Sequence, residues 1–283
     1  MEEGMLYSII PDKEEIHPSL AAYCELPEIE RAAFDKDSEK HTYVTKDGCE
    51  RTCKGVRSFI HTRHLCQEYV QPRRPRGKKI NYKKKSATAE IGLRVGRFIE
   101  AFVYRGGVKP IPVPARASDI KKRVYRFAMA IIEWLEQQGY KVQAAELPVV
   151  FENLSRMTRA DLITKDRTGK HLVVWEIKCG FPAGFDRHKK KMKAPLEKHS
   201  CTEFNKWALQ AMYTEAGLKK RGLDSVCVKI LHAWEEEVEE ESYRKSPGKR
   251  KRGDTAPELT YKVAARSLPE WVKRYQDQIM DRL

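Results

Sequence analysis

Between residues 87 and 178 the spacing of apolar residues switches from the helical 3.6 to the strand period of two. This switch commits the chain to building both helices and strands. In residues 87–104, Ile91, Val95, Phe98, Ile99, Phe102 and Val103 recur at helical spacing, which predicts an amphipathic helix. A Pro-rich loop (KPIPVPAR) follows. Ser118 and Asp119 then offer caps for a second helix running to about Gln138, with Gly139 as its stop. Beyond it, residues 141–151 (KVQAAELPVVF), 158–164 (TRADLIT) and 171–178 (HLVVWEIK) read as three strands. The KDRTGK segment between the last two suits a hairpin turn. A helix is expected over about 201–220, a strand at 225–234, its antiparallel partner at 259–265, and a last helix in PEWVKRYQDQIM. No internal repeat is visible.

Residues 1–70 read as an irregular, partly folded N-terminal region. Residues 73–85 (RRPRGKKINYKKK) carry eight basic residues in thirteen, either as a solvated linker or as an arm that touches phosphates. The piece between the strands at 225–234 and 259–265 holds six glutamates within 235–241 and the basic run Lys249, Arg250, Lys251 and Arg252. It reads as a solvated excursion, and its KSPGKRKRG stretch resembles a short nuclear-import signal. Over the 283 residues, 55 Lys and Arg against 40 Asp and Glu leave a net charge of +15. That excess favours a polyanionic partner, nucleic acid or an acidic membrane surface. No apolar stretch approaches the ~18–20 residues that cross a bilayer. The N-terminus has no basic leader region, and seven scattered cysteines read as reduced thiols of an intracellular protein.

The chemistry concentrates in residues 160–180, ADLITKDRTGKHLVVWEIKCG. Asp161 sits in a short apolar strand, where an unpaired charge is costly. Glu176 and Lys178 are i and i+2 in the next strand and project to one face. Pairing the two strands through the turn brings Asp161 beside them. Two carboxylates offer hard oxygen ligands suited to Mg²⁺, and an ammonium beside them can orient or deprotonate an attacking water. An ion pair kept for stability is the plainer reading of an isolated D…ExK pattern.

The flanking residues resemble the PD-(D/E)XK nuclease superfamily, in its RecB-like and lambda-exonuclease-like branch. The stretch from Ala89 to Glu100 is similar to the branch's A-x-x-G-x-x-x-H-x-x-I-E helix, with Gly92, Ile99 and Glu100 matching and Gly96 where many relatives have His. AAELPVVF looks like the E-x-P-V segment, RMTRAD like the approach to the first aspartate, and VVWEIKCG like the strand ending in D/E-x-K-[TC]-G. Gln210 and Tyr213 resemble the Gln and Tyr of the following helix.

The resemblance implies an α/β fold with a central mixed β-sheet flanked by helices. Residues 86–283 would be the nuclease core and 1–85 an accessory region. It further implies hydrolysis of DNA phosphodiester bonds with Mg²⁺ or Mn²⁺, by an exonuclease working from DNA ends. Asp161, Glu176, Glu100 and Ile177 would hold the metal, and Lys178, Gln210 and Tyr213 complete the catalytic set. A structure-specific endonuclease and an inactive nucleic-acid-binding module with the same fold are the alternatives. Two basic groups are candidate DNA contacts: Arg187, Lys189, Lys190, Lys191 and Lys193 after the ExK strand, and Arg73, Arg74, Lys83 and Lys84 before the core. Glu146 reads as a strand-edge residue or a carboxylate supporting the site. Cys49, Cys53, His61, His64 and Cys66 fit no standard zinc pattern. No iron–sulfur cluster is expected, because Cys227 is the only cysteine after Cys201.

Overall fold

A computed structural model describes residues 8–9, 16–26, 29, 32–35, 40–45, 48–64, 87–109, 112–151, 156–180, 190–223, 226–237 and 259–279. The strands are β1 (Ser8–Ile9), β2 (Ala33–Asp35), β3 (Lys40–Val44), β4 (Glu50–Gly55), β5 (Lys141–Phe151), β6 (Arg156–Lys165), β7 (Leu172–Cys179), β8 (Val226–Glu237) and β9 (Leu259–Ser267). The helices are α1 (Pro18–Cys24), α2 (Val56–Arg63), α3 (Ala87–Tyr104), α4 (Asp119–Gln137), α5 (Glu203–Lys220) and α6 (Glu270–Ile279). The protein is α/β with a mixed sheet, ordered β2-β3-β4-β6-β7-β8-β9, and β5 and β1 branch from β6. Among the described residues no helix is long and apolar enough to cross a membrane.

Each face of the sheet carries its own core. On one side α3 and α4 bury Ile91, Val95, Ile99, Phe127 and Ile131 against Leu162, Trp175 and Leu231. On the other, α5 covers Leu147, Val149, Ile163, Val174 and Ile230, joined by α1, α2 and α6. Each fully buried large apolar side chain contributes about 1.5–3 kcal/mol. Within the β6–β7 hairpin the Asp166 carboxylate accepts from the Thr168 backbone N–H and hydroxyl, and Gly169 takes the left-handed φ of +71° that the turn requires.

The N-terminal region contains more regular structure than its sequence suggests. β2, β3 and β4 form an antiparallel meander, and β4 then pairs in parallel with β6, Lys54 against Arg156 and Gly55 against Met157. β1 adds to β5. These strands are short and polar, with only Cys53 buried in β4. They carry little of the alternation by which strands are recognised, and the main sheet supplies the edge they need.

α5 lies unusually close to β5. A Cβ at Gly217 would come within 2.5 Å of Val149 Cγ1 and 2.7 Å of Phe151 Cζ. Gly217→Ala should therefore destabilise the protein. Overpacking costs about 1–3 kcal/mol and exceeds the ~1 kcal/mol that alanine gains in helix propensity. Urea denaturation reads the loss as a lower midpoint; an unchanged or higher midpoint would mean that the helix tolerates a wider spacing.

Candidate functional site at an opening in the sheet

β6 is paired along its whole length on one edge by β5. Its other edge is divided: Arg156 and Met157 face β4, while Leu162 to Lys165 face β7. Residues 158–161 lie between the two, so the sheet opens there. β7 continues past the end of its pairing with β6 and is held on its far side by β8 as far as Cys179↔Ala233.

The backbone changes hand at this opening. Residues i and i+2 of a regular strand share a face, yet Ala160 lies in the α5 core and Leu162 in the α3–α4 core. Ala145 and Leu147 of β5 show the same reversal. Glu146, between them, has a φ of +57°, a conformation that costs a non-glycine residue about 1–2 kcal/mol. The flanking pairs Ala145↔Leu162 and Leu147↔Ala160 put Glu146 level with Asp161. The β6–β7 register, continued by one step, puts Asp161 level with Glu176.

At this row Asp161 takes over the sheet's hydrogen bonding: its Oδ2 accepts from the Ile177 backbone N–H at 2.8 Å. Glu176, 2% exposed, is ion-paired to Lys178, which is 18% exposed. Burial raises the Asp161 carboxyl above its ordinary range, against the pull of Lys178 and of the Ile177 N–H. Burial, then repulsion from Asp161, pushes Glu176 up to about 7 despite the attraction of Lys178. For Lys178, burial works against the charge, but Glu176 and Asp161 outweigh it and raise its pKa. The ammonium therefore persists at neutral pH.

Other charged groups surround these three. Glu146 pairs with Arg159 at 2.9 Å, and its Oε1 lies 3.7 Å from where a Cβ on Gly96 of α3 would stand. Arg57 of α2 is exposed and interacts electrostatically with Glu176 and Lys178. Lys206 of α5 is buried and ion-paired to Glu203 at 2.5 Å. Its pKa is lowered by burial first, then by Arg57 and Lys178.

The structure thus joins Asp161, Glu176, Ile177 and Lys178. Glu100 is partly buried on α3 and Gln210 on α5. Among the described residues, neither makes a side-chain hydrogen bond or ion pair with those four, and no group of three or more His, Cys, Asp or Glu side chains gathers as a ligand set.

Tyr213 packs in the core beneath α5. It is 2% exposed, its hydroxyl lies 2.9 Å from His64 Nε2, and it packs edge-on against Phe59 and Phe151. Tyr213 thus links α2 to α5 within the core, and burial raises its pKa. Burial, with Arg63 and Lys193 nearby, lowers His64 to about 4. Cys53 and His64 are both buried in the core.

Lys190 and Lys191 are exposed, and the Lys193 backbone N–H donates to the His64 carbonyl. Arg73, Arg74, Lys83, Lys84, Arg187 and Lys189 lie outside the described residues, as does the 249–252 basic run. The sequence reading did not single out Arg57, Arg159 or Lys206. Arg159, two residues before Asp161 on the same strand, was the one that could have been found from spacing.

Fold and site together define an α/β protein with a buried carboxylate–ammonium cluster where its sheet opens. No family model, curated protein or solved structure matches the chain.

Proposed function

We propose that this protein is a divalent-metal-dependent nuclease that hydrolyses DNA phosphodiester bonds, acting from DNA ends. The observation that carries the reading is the meeting of Asp161, Glu176 and Lys178 at the opening between β6 and β7. A merely structural ion pair does not require a second buried carboxylate beside Glu176. Asp161 and Glu176 converge on Lys178, and the carboxylate donor set is all oxygen. Both features fit Mg²⁺ or Mn²⁺. Asp161 and Glu176 would hold the ion, which when bound offsets phosphate charge and makes a coordinated water more acidic.

The chain's own groups have separable tasks. The Ile177 N–H fixes the Asp161 carboxylate, so one acid is positioned before any ligand arrives. Lys178, ion-paired to Glu176, would orient the attacking water and neutralise phosphate charge. Action from ends, and DNA as the substrate, rest on the resemblance to the RecB-like branch together with the net charge of +15.

The test is incubation of the full chain with linear duplex, covalently closed duplex and single strands, in Mg²⁺ or Mn²⁺ and in EDTA. The expected result is metal-dependent loss of linear DNA with closed circles intact. Cutting of closed circles would replace the exonuclease reading with an endonuclease. Intact substrates in every metal, with DNA still retarded in a gel, would make the protein a binding module.

A further inference from the structure

The opening in the sheet has a second wall. β4 leaves β6 at Gly55↔Met157, and the chain turns directly into α2, so Arg57 stands one residue into that helix. Asp161 is four residues further along β6 from Met157, and Glu176 and Lys178 are on β7 opposite. The route from one strand to its neighbour thus brings Arg57 to the opening, close enough to interact electrostatically with Glu176 and Lys178. α2 is held there by contacts with β6, β4 and α5.

Among the described residues Arg57 has no carboxylate within ion-pair distance, although it is close enough to repel the Lys178 and Lys206 ammonium groups. The cations around it are already matched, Lys178 with Glu176, Lys206 with Glu203 and Arg159 with Glu146. A guanidinium is a planar fork of donors suited to a phosphate. Exposed, repelled by two ammonium groups and attracted by a Glu176 already paired to Lys178, it is open to an anionic ligand.

We infer that Arg57 binds a backbone phosphate next to the scissile one, so that the N-terminal segment forms one wall of the substrate cleft. The inference rests on the nuclease reading and adds a positioning contact to it. The ligand is a nucleic-acid strand crossing from β7 to α2. Lys178 meets the reacting phosphate and Arg57 its neighbour.

The test measures binding apart from cleavage. A labelled oligonucleotide is titrated in EDTA over a range of salt concentrations with wild type, Arg57→Gln, Arg57→Lys and Lys141→Gln, an exposed lysine at the other end of the β5–β6 pair. Arg57→Gln should weaken binding roughly tenfold or more. It should also flatten the dependence of log K on log salt by about 0.7 for a single strand or 0.9 for a duplex. Arg57→Lys should keep the wild-type slope, and Lys141→Gln should match wild type in both quantities. In Mg²⁺, Arg57→Gln should raise KM more than it lowers kcat, since the contact exists before the reaction begins. If wild type binds and cuts but Arg57→Gln has the same affinity and salt slope, the Arg57 assignment falls alone. If wild type neither binds nor cuts DNA, the functional reading fails and takes the assignment with it.

Discussion

Asp161→Asn should lower the rate of DNA cleavage at least about 100- to 1,000-fold, the scale on which a single positioned electrostatic group acts in catalysis, while leaving the fold intact. The substitution is almost isosteric, and an amide oxygen can still accept from the Ile177 N–H that Asp161 Oδ2 engages at 2.8 Å. Only the negative charge is removed. Lys178→Met should lower the rate by a similar factor, but it also withdraws the ammonium from two buried acids. Breaking a buried ion pair from one side typically costs about 3–5 kcal/mol, and protonation of Glu176 softens that cost. Rates are therefore compared at a temperature where circular dichroism reports both variants folded. A folded Asp161→Asn protein that cuts linear DNA at the wild-type rate would remove these residues from the reaction.

Glu176→Gln should also abolish cleavage, yet make the protein more stable at pH 8. The Glu176 carboxyl, 2% exposed, has its pKa raised from the ordinary 4.5 to about 7. A raised acid holds its proton in the folded state over a range where the unfolded chain has released it. Stability from this group is thus complete below about 4.5 and is lost as pH climbs through about 7, opposite in sign to an ordinary salt-bridged carboxylate. At about 1.4 kcal/mol per pKa unit, the wild type gives up as much as about 3 kcal/mol above pH 7. A neutral glutamine gives up none. The difference in unfolding free energy should be small near pH 4.5, grow with pH and level off above 7. Millimolar Mg²⁺ or Mn²⁺ should stabilise the wild type at pH 8 and leave Glu176→Gln nearly unaffected. If the variant is less stable than wild type at pH 8, ionised Glu176 is not under the strain its surroundings imply.

Legibility from sequence followed the physics of each feature. α3 came out at 87–104 and β5 at 141–151, the bounds the structure gives, because α3 repeats its apolar residues over several turns and β5 is a long, largely apolar run buried at nearly every position. The β8–β9 pairing across a long charged excursion was likewise expected and is present. β2, β3 and β4 were not visible. Their stability comes from edges supplied by one another and by β6, and an edge leaves no mark on the composition of the strand that uses it. Tyr213 was assigned by its resemblance to the family's Gln and Tyr helix, and α5 is buried along nearly every face, so the sequence could not tell which side of it meets the carboxylates.

By itself the sequence determined that Asp161, Glu176 and Lys178 belong on neighbouring strands. A short turn joining two alternating runs leaves hardly another register. Only the tertiary structure decided that β6 turns over at Asp161, that Glu146 is held at a positive φ beside it, and that Arg57 faces the same opening from the N-terminal segment. These placements depend on contacts between residues 15 to 121 positions apart (Asp161 to Glu176, Arg57 to Lys178). Local pattern carries information about neighbours in the chain. The distant partners are chosen by which packing buries both faces of the sheet at once.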